Sequence, residues 1–137
     1  MKTYSRFTTS YRVRPDDIDM FQHVHNSKYF DYVLAARYDQ MRDCYGVTME
    51  DFMDAGYGWV VRTAHVDYKR ALVMGQEFTV ETGITTMNSK GCRVSFEIKI
   101  KETNKLACDG WFDYVLIDIK TGKSTMVTQK MIDQFSI

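Results

Sequence analysis

The chain has 137 residues, of which 45% are apolar and 14% aromatic, with a single proline. That composition excludes a disordered or low-complexity chain, and the length suits one domain with a core that needs no covalent staples. Lysine plus arginine equals aspartate plus glutamate at 18 each, which excludes the basic excess of a nucleic-acid binder and, through weak self-repulsion, permits self-association.

Residues 6–14 alternate. Phe7, Thr9, Tyr11 and Val13 point one way and Arg6, Thr8, Ser10, Arg12 and Arg14 the other, the pattern of a half-buried strand. Pro15 ends it, having no N–H for a ladder and biasing Arg14 to an extended conformation. A loop over 16–25 follows, with Asn26 or Ser27 as the helix N-cap. Phe30, Val33, Leu34, Tyr38 and Met41 fall on one helical face, Ala35 and Ala36 favour helix, and Gly46 is a natural stop. The spacing predicts a helix over 27–45, roughly five turns. Thr48-Met49-Glu50-Asp51 opens a short second helix closed by Gly56 and Gly58. Strands are then predicted over 59–68, 77–88, 91–101 and 106–119, separated by turn signals such as Met74-Gly75, Asn88-Ser89-Lys90-Gly91 and Thr103-Asn104-Lys105. Connections this short imply antiparallel neighbours. After Thr121-Gly122-Lys123, residues 124–137 read as a last strand and a helical turn with Met131, Ile132 and Phe135 inward. One helix covers only one face of such a sheet, so a dimer is expected to cover the rest.

Cys44, Cys92 and Cys108 are odd in number and widely spaced, which reads as free thiols in a reducing compartment. The stretch Met1–Arg6 has no apolar core for a signal peptide, and no apolar run approaches the roughly 20 residues of a membrane span. The expected location is cytoplasmic.

The joint between the first strand and the long helix holds Asp17, Asp19, His23, His25, Asn26 and Tyr29. The pattern Asp17-x-Asp19-x-x-x-His23-Val24-x-Asn26-x-x-Tyr29 at that joint resembles the hotdog-fold thioesterases, in particular the 4-hydroxybenzoyl-CoA thioesterase and acyl-CoA thioester hydrolase branch. His65-Val66-Asp67-Tyr68-Lys69-Arg70 with Gly75-Gln76-Glu77-Phe78-Thr79-Val80 resembles the family's V-x-Y-x-R-P … G-D-x-x-x-V segment, and Asp118-Ile119-Lys120-Thr121-Gly122-Lys123 its closing V-D-x-x-T-G-K. The resemblance implies an α+β hotdog fold: one long helix wrapped by a curved antiparallel sheet of about five strands. It also implies a homodimer or tetramer with active sites at the subunit interface, and hydrolysis of an acyl-CoA or acyl-carrier-protein thioester without a cofactor. Carried over by position, Asp19 is the catalytic carboxylate and the Asn26 backbone N–H the oxyanion donor. Asp17, His23 and Tyr29 take supporting positions. Lys69 and Arg70 are candidates for the CoA phosphates. Three departures stand out: Gln22 and Ala71 replace a common Gly and Pro, and His25 a common Asn. A glycine at 22 permits φ > 0, so the loop's shape is open at that point.

The residue types suit the chemistry. A helix N-terminus offers unpaired N–H groups and a positive dipole end. That field keeps a nearby Asp ionised, able to attack the carbonyl or to activate water. Plainer roles stand beside these. Asp17 is suited to bonding backbone amides in the turn after Pro15, His23 to orienting the loop, and Tyr29 as well to packing as to substrate contact. Rival readings are a metal site on Asp17, Asp19, His23 and His25, a hydratase or dehydratase on the same fold, and a non-catalytic acyl-CoA binding module.

Overall fold

A computed structural model describes residues 4–137; residues 1–3, part of the stretch read above for a signal peptide, lie outside the described residues. Strand β1 (Arg6–Arg12) leads through a short 3₁₀ turn (Pro15–Asp17) and a loop into helix α1 (Asn26–Gln40). One wide turn, Met41–Tyr45, continues α1 until Gly46 closes it in the left-handed region, φ 70°. A short helix α2 (Met49–Asp54) precedes β2 (Tyr57–Tyr68), β3 (Glu77–Asn88), β4 (Gly91–Ile100) and β5 (Leu106–Asp118), and α3 (Gln129–Phe135) closes the chain. The five strands form one antiparallel sheet in the order β1-β3-β4-β5-β2. This is the α+β arrangement that the resemblance implied, a curved sheet with one long helix. Among the described residues no helix is long and apolar enough to cross a membrane.

Alternation in the strands selects the face that meets α1. Phe78 and Val80 of β3, Val94, Phe96 and Ile98 of β4, and Phe112 and Leu116 of β5 are buried. Phe30 of α1 sets its ring edge-on to Phe112 at 5.3 Å, and Tyr32 lies 4.6 Å from Phe78.

The helix keeps most of the expected face and adds a polar row to it. Val33 and Met41 are buried and Phe30 and Leu34 half-buried, as expected, but Tyr29, Ala36, Arg37 and Gln40 are buried beside them. Tyr38 alone of the expected face is exposed, and its hydroxyl donates to Glu50. The buried face widens because the sheet offers polar partners beneath α1. Arg37 Nη1 donates to Thr82 Oγ1 at 3.0 Å, and Gln40 Nε2 to Thr9 Oγ1 at 2.9 Å. The Thr82 hydroxyl donates in turn to Gln40 Oε1. Two further expectations are corrected. The N-cap is His25, ahead of Asn26 and Ser27. Residues 124–128 make only an isolated bridge, Ser124 to Ile117, because the Val127 N–H crosses to the Ser89 carbonyl (2.8 Å) and the chain enters α3. Of the residues expected inward there, Phe135 is buried and Met131 and Ile132 are half-buried.

Gly110 sets how closely β2 and β5 approach. A Cβ there would lie 1.9 Å from the His65 carbonyl oxygen and 2.9 Å from the Phe96 ring. Both obstacles are held by the sheet, so Gly110→Ala is expected to lower the unfolding free energy by about 1–3 kcal/mol through overpacking. Urea denaturation should show it as a lower midpoint.

Candidate functional site

The end of the 16–25 loop, the start of α1 and the end of β2 meet in one groove of about 250 Å³, lined by Asp19, His23, Asn26 and Tyr29 on one side and Tyr68, Lys69 and Arg70 on the other. Six of the seven residues marked in the sequence are thereby brought together. Asp17 stands apart.

Asp17 is buried and ties the joint. Its Oδ2 accepts from the Arg14 N–H (3.1 Å) and the Tyr32 hydroxyl (2.6 Å). Its backbone carbonyl accepts the His25 N–H at 2.9 Å. Burial first, and then the Asp17 hydrogen bond, push the Tyr32 hydroxyl well above the usual phenol range.

The loop beyond is a tight turn built on Asp19. The Asp19 N–H donates to the His23 carbonyl (2.9 Å) and the Gln22 N–H to the Asp19 carbonyl (3.1 Å). Asp19 Oδ1 accepts from the Phe21 N–H at 2.9 Å and, at 3.4 Å, from that of His23. Its Oδ2 has no partner among the described residues. Isolated bridges from Ile18 to Val24 and from His23 to Val73 anchor the loop's base. Gln22 sits at φ 66°, so the chain adopts the left-handed turn that a glycine would favour and accepts the Cβ strain. The open question of loop shape is answered there: the substitution leaves a positive φ.

Helix α1 starts under His25, whose Nδ1 accepts the Ser27 N–H (3.1 Å) and lies 2.8 Å from the Ser27 hydroxyl. Asn26, the first helical residue, has a backbone N–H with no acceptor among the described residues, and its carbonyl accepts the Tyr68 hydroxyl at 3.1 Å. The buried Tyr29 hydroxyl accepts the Leu72 N–H at 3.0 Å. Burial raises its pKa against the lowering pull of that N–H, so Tyr29 lines the groove as a neutral phenol. On the facing side, the Lys69 and Arg70 N–H groups both donate to the Ala107 carbonyl at 2.9 Å, which fixes the backbone after β2. Lys69 Nζ pairs with Asp67 at 2.9 Å, and this contact raises the Lys69 pKa and lowers that of Asp67. The Arg70 guanidinium has no partner among the described residues. Tyr68 was not marked by the sequence reading, since an exposed tyrosine at a strand end carries no signal of its own. Only the pairing of β2 with β5 brings it to the α1 N-terminus. Of the rival metal set, Asp17 faces inward and Asp19 turns to its own loop. Among the described residues no group of three or more His, Cys, Asp or Glu could hold a metal ion.

The sequence model of the thioesterase-like superfamily matches residues 13–135. The long-chain acyl-CoA thioesterase FadM of Escherichia coli (strain K12) is 26% identical over 116 residues, 85% of this chain and 86% of its own. A DHNA-CoA thioesterase from Staphylococcus aureus shares the fold with a TM-score of 0.86 at 20% identity, covering 93% of this chain and 85% of that one. The protein SAV2348 from Staphylococcus aureus, solved in complex with CoA, does so with a TM-score of 0.81 at 18% identity, covering 98% of this chain and 84% of that one.

The strain at Gln22 makes a measurable statement about the loop. Gln22→Gly is expected to raise stability by up to about 1 kcal/mol by releasing the left-handed residue, and Gln22→Val to lower it by a similar amount or more. Thermal unfolding of the two variants against wild type, a few degrees apart in opposite directions, is the check.

Proposed function

Because the chain belongs to the thioesterase-like superfamily, we propose that it hydrolyses acyl-CoA thioesters, with Asp19 as the catalytic carboxylate and the Asn26 backbone N–H as the oxyanion donor. The observation that carries this reading is the shared groove: a carboxylate with one uncommitted oxygen, an unpaired N–H at a helix start, and two cations on the opposite wall. Coenzyme A is favoured over a carrier protein by the FadM and SAV2348 likenesses.

In this reading the thioester carbonyl points at the Asn26 N–H, where the positive end of α1 stabilises the oxyanion of the tetrahedral intermediate. The Phe21 and His23 N–H groups hold Asp19 through Oδ1, leaving Oδ2 uncommitted. That oxygen either attacks the carbonyl carbon, giving a mixed anhydride and releasing the CoA thiolate, or takes a proton from an attacking water. The neutral Tyr29 and Tyr68 hydroxyls frame the site. Lys69 and Arg70 sit where phosphate oxygens of CoA would be met by cations. His23 serves the loop through its backbone.

A homodimer completes the proposal. The outer edge of β2 is unpaired among the described residues, most of that strand is exposed, and Met20 and Phe21 at the loop tip are 86% and 72% exposed. A second copy joined along β2 would cover that edge and the apolar tip beside each groove. Light scattering of the pure protein should give twice the chain mass.

Thiol release from acyl-CoA should fall by about 10²–10⁴ in Asp19→Asn, which keeps Oδ1 as acceptor for the Phe21 and His23 N–H groups, and in Asp19→Ala, which removes it as well. Equal rates in all three proteins would sink the assignment. On the nucleophilic route water then cleaves the anhydride to free acid and Asp19. In a single turnover in H₂¹⁸O, label in the Asp19 carboxylate marks that route with attack at the aspartyl carbonyl, and trapping of an acylated Asp19 marks it whichever carbonyl water attacks. Removing both cations in Lys69→Ala/Arg70→Ala is expected to raise KM for acyl-CoA by about 2–5-fold, with kcat little changed.

A further inference from the structure

A charged residue of α1 that the sequence reading did not mark lies buried against the sheet. Arg37 is 2% exposed. Its partners are the Thr82 hydroxyl at 3.0 Å and the face of the Tyr45 ring, 5.2 Å from the guanidinium carbon. No carboxylate pairs with it among the described residues, and a guanidinium cannot shed its proton to escape the cost of burial. Three buried side-chain polar atoms have no partner among the described residues: Arg37 Nε, Trp59 Nε1 and the Tyr45 hydroxyl. Two of them meet at one place. Arg37 and Trp59 line the same small, partly open pocket, and Tyr45, outside its lining, is the ring under the guanidinium. Met41, Ile84, Met87 and Phe135 supply apolar wall, and Cys92 and Tyr114 complete the lining.

We infer that this cavity binds a carboxylate on an aliphatic stem, its oxygens taking the Arg37 and Trp59 N–H groups. The charge sets the sign: a neutral acceptor satisfies the donors but leaves the cation uncompensated, so the ligand is an anion. The walls set the class, because apolar side chains around a few convergent donors suit a hydrocarbon bearing one polar head better than a bare inorganic ion. The planar fork of arginine matches a carboxylate. The space at hand, about 10 Å³, takes one water-sized body, and the unbranched Met41 and Met87 side chains can swing aside to admit the larger group.

Such a carboxylate has two sources: the far end of the substrate's own acyl group, or a separate free acid. The first rests on the proposed thioesterase reading. Tyr29, which lines the groove, and Arg37 lie on one buried stripe of α1, eight residues apart, or about 12 Å along the axis. About ten bonds of extended chain cover that distance, at ~1.2 Å of advance each.

Thermal unfolding with hexanoate, with hexanol and with sodium chloride at equal concentrations tests the site directly. Hexanoate is expected to raise Tm more than either of the others. Arg37→Met should weaken hexanoate binding about tenfold or more and bring it level with hexanol. Trp59→Phe, which keeps the aromatic ring and removes one donor, should weaken it several-fold and decides the matter if the Arg37 variant does not fold. A shift equalled by hexanol or chloride in wild type, or an undiminished response in Trp59→Phe, overturns the inference. Turnover then assigns the source. A kcat/KM for an ω-carboxyacyl-CoA above that for the plain acyl-CoA of the same length, lost in Trp59→Phe, makes the carboxylate the substrate's far end. A ratio at or below one with the hexanoate response intact makes it a separate acid. If no thioester is cleaved at all, the thioesterase reading fails while the hexanoate response still reads the cavity.

Discussion

Everything at the groove depends on where α1 begins, and that is fixed by the buried carboxylate of Asp17. One oxygen of it binds both the chain just after β1, through the Arg14 N–H, and the second turn of α1, through the Tyr32 hydroxyl. The Asp17 carbonyl holds the His25 N–H that precedes the helix. Strand, loop and helix are thus tied at one residue, and a buried polar hub of this kind is costly to disturb because every donor it satisfies would be orphaned. The consequence for chemistry is geometric. With the helix start immobilised, the Asn26 N–H has a fixed direction, and the short loop can carry Asp19 to the same groove without a regular element beneath it.

The loop from Asp17 to His25 works against local preference at one point only. Gln22 takes a left-handed conformation that lets the turn close from Asp19 to His23. The turn's own N–H groups then bind one oxygen of Asp19 and leave the other free. The positive φ at Gln22 and the Asp19 contacts belong to the same short turn, held in place by the bridges from Ile18 to Val24 and from His23 to Val73 at its base.

How much of this could be read from the sequence follows from what kind of signal each part carries. The strands were legible because alternation is a local pattern, and the β3–β4 and β4–β5 pairings because the turns are short, whereas β2, expected from its short connection to neighbour β3, pairs with β5 at the far edge of the sheet, and β1 takes the place beside β3. The expected α1 face included Val33 and Met41, which are buried, but missed Arg37 and Gln40, because apolar spacing cannot show that Thr9 and Thr82 wait beneath the helix to satisfy them. Charged and amide side chains default to solvent until a partner is known. The His25 cap was missed because histidine is outside the usual N-cap set, although its Nδ1 can accept as a carboxylate would. The groove residues on the loop and α1 were legible as a spaced motif, whereas Tyr68, brought in by a long-range strand pairing, was not. The segment after Lys123 looked like a strand because its side chains suit one, but whether it pairs depends on an edge that its sequence does not reveal.

The two polar sites on α1 obey opposite rules, and the contrast explains why the sequence pointed to one and hid the other. At the N-terminus the helix offers unpaired N–H groups of its own, so the backbone alone supplies the positive field and side chains need only be placed near it. Beside the buried stripe the backbone is fully bonded, and any positive field must come from a side chain carried into the core against a desolvation cost of several kcal/mol. A chain retains such a group against easier apolar alternatives when something compensates for it. Thr82 and the Tyr45 ring compensate in part, which leaves the guanidinium charge itself, with an unpaired Trp59 N–H, at a pocket whose other walls are mostly apolar.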